Sequence, residues 1–115
     1  MSSTRHNPTH LAAVRHLMGL TIREMAEICA VNDRRIRAWL AGDSAPSPAA
    51  AQRLDAAFAD FQHTVEHRVV LALRSRTRPV ELRVESAEQL PVLSAVSMIL
   101  AHRGVESRIV GPDAD

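Results

Sequence analysis

The stretch Leu20–Gly42, LTIREMAEICAVNDRRIRAWLAG, constrains this chain more than any other, because it packs two sets of helix start and stop signals close together. Thr21 is a good N-cap, with a hydroxyl able to accept from an orphan backbone N–H, and Glu24 stands at the reciprocal capping-box position. Met25, Ala26, Ile28 and Cys29 recur at helical spacing on one face and leave Arg23, Glu24 and Glu27 outside. Ala26 is small where two helices would cross closely. Ala30-Val31 forms the turn, with Val31 as its apolar plug. Asn32 caps a second helix whose buried stripe is Ile36, Trp39 and Leu40, and Gly42 ends it. That stripe turns Arg34, Arg35 and Arg37 outward. The prediction is two short helices joined by a tight turn, with arginine clustered on the second.

This segment resembles the lambda-repressor/Cro (XRE-type) family of helix-turn-helix domains, whose usual run is L-T-x-x-E-L-A-x-x-x-G-V-S-x-x-x-I-x-x-W-E-x-G. Leu20, Thr21, Glu24, Ala26, Val31, Ile36, Trp39 and Gly42 stand at matching positions, while Met25 replaces the leucine and Asn32 the serine. Three departures matter. Ile22 occupies a place where the family often has a phosphate-contacting glutamine. Ala30 replaces the turn glycine, which demands a left-handed alanine or a different turn. Leu40 replaces the usual glutamate.

The resemblance implies that one helix braces the DNA backbone and the next enters the major groove. Carried onto this sequence, it makes Arg34 and Arg35 the expected base readers, with Asn32, Asp33 and Ala38 as neighbours. Arg37 and Arg23 are expected on phosphate, and Thr21 joins the DNA-binding set. Asp33, negative beside phosphates, can stabilise the helix N-terminus, accept from a cytosine amino group or orient an arginine. Trp39 belongs to the core.

The remaining chain supplies further elements. Asn7-Pro8-Thr9 reads as a helix start, with Leu11, Val14, Leu17 and Met18 as the apolar face and Gly19 as the stop. Ser47-Pro48 opens a long helix after a loop from Gly42, and its stripe runs through Leu54, Phe58, Phe61, Val65 and Val69. Arg74-Ser75-Arg76-Thr77-Arg78-Pro79 is a polar, basic break, read as a solvated linker. Val80 to Val84 alternates as a half-buried strand does. Ser86 to Pro91 is ambiguous: Ser86 and Gln89 mimic a capping box, but Pro91 would disrupt a helix interior. Val92 to Arg103 is predicted helical, with Gly104 as its stop. Val105 to Val110 alternates again as a last strand, and the residues from Gly111 on read as a frayed tail.

A strand-helix-strand unit of about 45 residues buries little by itself. A second copy is the simplest remedy, and twofold dimers are the commonest oligomers. Val80, Leu82, Val84, Leu93, Val96, Ile99, Leu100, Val105 and Ile109 are therefore the expected dimer interface. At whole-chain level, Cro-like helices followed by a short strand-helix-strand unit are similar to the anti-CRISPR-associated repressors of phages and mobile elements.

Composition bounds these readings. The net charge is only +1, and every one of the 14 basic residues is arginine, the side chain suited to bidentate phosphate and guanine contacts. Local clustering at Arg34–Arg37 and Arg74–Arg78 has to carry the electrostatics. Arg5 and its neighbours read as a tail, with a DNA-reaching arm as the alternative. The absence of a signal peptide or long apolar run, together with one cysteine, Cys29, points to a cytoplasmic protein of a bacterial cell or phage-infected host, with no membrane partner. His63-Thr64-Val65-Glu66-His67 matches H-x-x-E-H, which places two histidines one helical turn apart. A catalytic zinc site needs a third protein ligand and a cleft, and nothing later in the chain resembles a second metal-binding helix. No metal, cofactor or catalytic residue is expected. The four glycines are dispersed, so no phosphate-cradling loop exists, and no nucleophile elbow is present.

The expected architecture is mainly α: an N-terminal five-helix lambda-repressor-like helix-turn-helix domain over 1–64, then a small strand-helix-strand dimerisation unit over 65–115. The expected function is that of a transcriptional repressor binding double-stranded DNA as a homodimer at an inverted-repeat (palindromic) operator, plausibly autoregulatory and of phage or mobile-element type. The alternative is an antitoxin or adaptor that binds a protein partner and represses its own operon.

Overall fold

A computed structural model of the chain describes residues 6–111. The chain is mainly helical, with one small parallel sheet, in the order α1 (Pro8–Met18), α2 (Ile22–Cys29), α3 (Asp33–Ala41), α4 (Pro48–Arg74), β1 (Val80–Arg83), α5 (Leu90–His102) and β2 (Ser107–Val110). Two compact units succeed each other along the chain, divided at Asp60–Phe61. The division falls inside α4, one turn before the expected boundary at 64–65. Its cause is a handover of the apolar stripe: Leu54 and Phe58 pack in the first core, Phe61, Val65 and Val69 in the second.

In the first unit each helix begins and ends on its own chemistry. Asn7 caps α1 by accepting from the His10 N–H at 2.8 Å, and Pro8 occupies the first turn, where a missing N–H costs nothing. Ser47 caps α4, its Oγ accepting from the Ala50 N–H at 3.2 Å. The core comprises Leu11, Val14, Met25, Ala26, Cys29, Ile36, Trp39, Ala50 and Leu54, drawn from all four helices. The expected fifth helix of this domain does not form among the described residues. Its place in the chain is taken by α4, which runs uninterrupted because nothing between Pro48 and Arg74 breaks a helix.

The second unit is a strand-helix-strand crossover beside the C-terminal part of α4. β1 and β2 pair in parallel, Val80 against Ser107, Glu81 against Arg108, Leu82 against Ile109 and Arg83 against Val110. Parallel pairing demands a crossover connection, and α5 supplies it. The alternation read in β1 holds: Val80 and Leu82 are buried, Glu81 and Arg83 exposed. β2 shows no such alternation; it is a sheet edge, and Ile109 on the same row as Leu82 is left 39% exposed. Between the strands, Ala87–Gln89 makes a single 3-10 turn and Pro91 lies in the first turn of α5, so the proline begins the helix instead of breaking it. Ser86 makes no side-chain cap; the Gln89 Oε1 instead accepts from the Glu85 N–H at 2.8 Å. No helix among the described residues is long and apolar enough to cross a membrane.

Candidate nucleic-acid interface

The arginines of α3 owe their presentation to the caps around them. Thr21 and Glu24 form a reciprocal capping box at the start of α2, the Thr21 Oγ accepting from Glu24 N–H at 3.0 Å and the Glu24 Oε1 from Thr21 N–H at 2.8 Å. The hydroxyl proton of Thr21 stays available for an outside acceptor. Asn32 begins α3 in the same manner, its Oδ1 accepting from the Arg35 N–H at 3.0 Å. Its amide nitrogen keeps two donors for other partners.

The α2–α3 turn is tight because Ala30 takes the left-handed conformation, φ 61 and ψ 44, and its N–H bonds to the carbonyls of α2. Its neighbour Val31 is half-buried against the first core, and the Val31 N–H donates to the Ala26 carbonyl at 3.0 Å. Ile36 and Trp39 are fully buried, which fixes the rotation of α3 about its axis. Arg34, Arg35 and Arg37 are thereby turned to solvent, as is Arg23 on α2. Among the described residues none of these four makes an ion pair. Asp33 is half-buried in the first turn of α3, where a carboxylate favours the helix N-terminus. Ala38 is half-buried in the last turn, and its carbonyl accepts from the Asp43 N–H at 2.9 Å.

A shallow depression lined by Arg23, Ala26, Glu27, Val31, Asn32, Asp33 and Arg34 joins the start of α3 to the outer side of α2. Four of the eight expected DNA contacts, Arg23, Asn32, Asp33 and Arg34, come together in it, while Thr21, Arg35, Arg37 and Ala38 lie outside it.

 

Glu27, outward on α2 but not among the expected DNA contacts, also lines the depression. It stands one helical turn after Arg23, and that spacing is the signal that finds it.

Two departures from the resemblance acquire a physical reason. Ile22 and Leu40 both pack partly buried against the first core, where an apolar side chain serves better than a polar one. In the first core, Cys29 is a buried free thiol. Burial pushes its pKa up, and the Arg53 guanidinium offsets this only in part.

The expected dimer interface needs correction. Val80, Leu82, Val84, Leu93, Val96 and Leu100 are buried within the second unit's own core, and Ile99 and Val105 pack partly buried against it. A single chain thus uses nearly all of these side chains to hold itself together. Of the nine, Ile109 alone is an exposed large hydrophobic; the others so exposed in this unit are Val70, Leu71, Leu90 and Met98. His63, Glu66 and His67 are exposed on α4, and among the described residues no three potential ligands converge on a metal position. Arg5 lies outside the described residues, as do residues 112–115 of the expected tail. Compared with known proteins, the chain matches no protein-family model and no curated sequence.

Proposed function

We propose that this protein is a sequence-specific DNA-binding transcriptional repressor that acts as a homodimer on an inverted-repeat operator. The observation that carries the reading is the outward row Arg34, Arg35 and Arg37 on a short helix that is held in rotation by buried Ile36 and Trp39. Guanidinium groups at the N-terminal end of such a helix have the donor geometry for guanine edges, and Arg23 and Arg37 have the charge for flanking phosphates. Asn32, with its amide donors unspent by capping, stands beside them.

Selection of bound sequences from a random duplex pool tests the proposal. Enrichment of a site with twofold symmetry, together with affinity that falls steeply with salt, is the expected result. Salt-dependent binding without any enriched sequence would reduce the protein to a nonspecific binder and overturn the reading.

A further inference from the structure

β1 pairs with β2 on one side only, and among the described residues no other strand covers its second edge. The Val80 N–H donates to the Glu106 carbonyl at 2.9 Å and the Val84 N–H to the Val110 carbonyl at 2.8 Å. Strand alternation then turns the main-chain groups of Glu81 and Arg83 toward the uncovered edge. Beside that edge lies an open groove whose other wall is Arg68, Leu71 and Ala72 of α4 and Ser75 just after it. Leu71 is 46% exposed there, an apolar side chain with nothing over it. Exposed edges of this kind are templates for another strand.

We propose that a second copy of this chain docks on this edge, the two β1 strands pairing antiparallel about a twofold axis through Leu82. The proposal rests on the homodimer reading above and assigns its surface. Charge selects both the occupant and the register. With the axis at Leu82, Glu81 of each copy lies opposite Arg83 of the other, and each such pair exchanges both of its main-chain hydrogen bonds. Moving the axis to Glu81 or to Arg83 sets like charges directly opposite, which is unfavourable. Glu81 already receives Arg108 of its own chain at 2.9 Å, so its carboxylate would sit between two guanidinium groups on the exposed face of a continuous sheet. The same axis brings the two α4 walls of the groove toward each other beneath the sheet and covers Leu71.

The test is the oligomeric state of the full chain without DNA, by sedimentation equilibrium and native mass spectrometry. Wild type is expected to dimerise, and Glu81→Arg or Arg83→Glu to weaken the dimer roughly tenfold or more. An equimolar mixture of the two variants restores opposite charges in every pair and is expected to form mixed dimers. Hydrogen exchange on wild type needs no variant: the Glu81 and Arg83 amides should be protected when concentrated and lose protection on dilution, while those of Val80 and Val84 change little. A monomer at all concentrations, single variants with wild-type affinity, or fast exchange at Glu81 and Arg83 throughout would each overturn the proposal. A dimer held elsewhere leaves the DNA reading standing. A dimer of this kind that enriches no symmetric DNA sinks the DNA reading alone.

Discussion

Ala30 holds an L side chain at φ 61, where a steric clash with the following carbonyl costs about 1–2 kcal/mol. Glycine removes that cost and adds back part of it as chain entropy. Ala30→Gly should therefore raise stability by roughly 0.5–1 kcal/mol, read as a higher urea midpoint at unchanged slope; an unchanged midpoint would mean the turn is not strained. Cys29 makes a prediction in pH. Its folded pKa is raised by burial, so the folded state holds its proton more tightly than the unfolded chain does. Its contribution is fully present below the ordinary thiol pKa of about 8.5 and is lost as pH rises toward the higher folded value. Denaturant melts between neutral and alkaline pH should show this loss, and Cys29→Ser should flatten it. Arg34→Ala should cost roughly 1–3 kcal/mol of specific DNA binding and relax preference at one half-site position. An equal loss on random DNA would assign Arg34 to phosphate.

Among the elements, α2 and α3 were legible because their caps are local. Thr21, Glu24, Asn32 and Gly42 act within three or four residues of their own positions, and each makes the bond its residue type suggests. The start of α5 was not, since Ser86 and Gln89 offer the same local chemistry without forming the box, and Pro91 reads equally as a breaker or a first-turn residue. The expected interface residues turned inward for a related reason. Periodicity separates an apolar face from a polar one, but it does not say whether the covering surface comes from the same chain. Leu100, fully buried, and Met98, 66% exposed, lie two residues apart on α5 and test the answer. Leu100→Ala should cost about 2–5 kcal/mol. Met98→Ala should stay within about 0.5 kcal/mol in dilute denaturant melts. Equal costs would contradict the placement of this core. By the same placement, a charge at Val96 would disrupt the second unit itself and not merely separate two copies.

For the whole molecule, the proposed operator reading has a geometric consequence. A twofold dimer that presents two α3 helices to one face of a duplex should protect half-sites whose centres lie one helical turn apart, ~10 base pairs, or a multiple of that spacing. Hydroxyl-radical footprinting on the selected sequence measures it directly. Inserting half a turn between half-sites should abolish cooperative occupancy, and tolerance of that insertion would argue for independent monomers. The formal net charge of +1 adds a second expectation at this scale: affinity should depend on the few arginines of α2 and α3, not on a general attraction to polyanions.

The sequence by itself determined the features that depend on neighbours along the chain: the helix starts and stops from Asn7 to Gly42, the buried stripe of Ile36 and Trp39, and hence the outward turn of Arg34, Arg35 and Arg37. It also determined that β1 alternates. Only the tertiary structure decided what each apolar face meets. It passed α4 from one core to the other between Phe58 and Phe61, sent Val80, Leu82 and Val96 into the second unit's own interior, and left the far edge of β1 open. The physical reason is the range of the forces concerned. A cap is a hydrogen bond over three residues, whereas burial is settled by whichever surface, near or distant in sequence, excludes water from the same side chain.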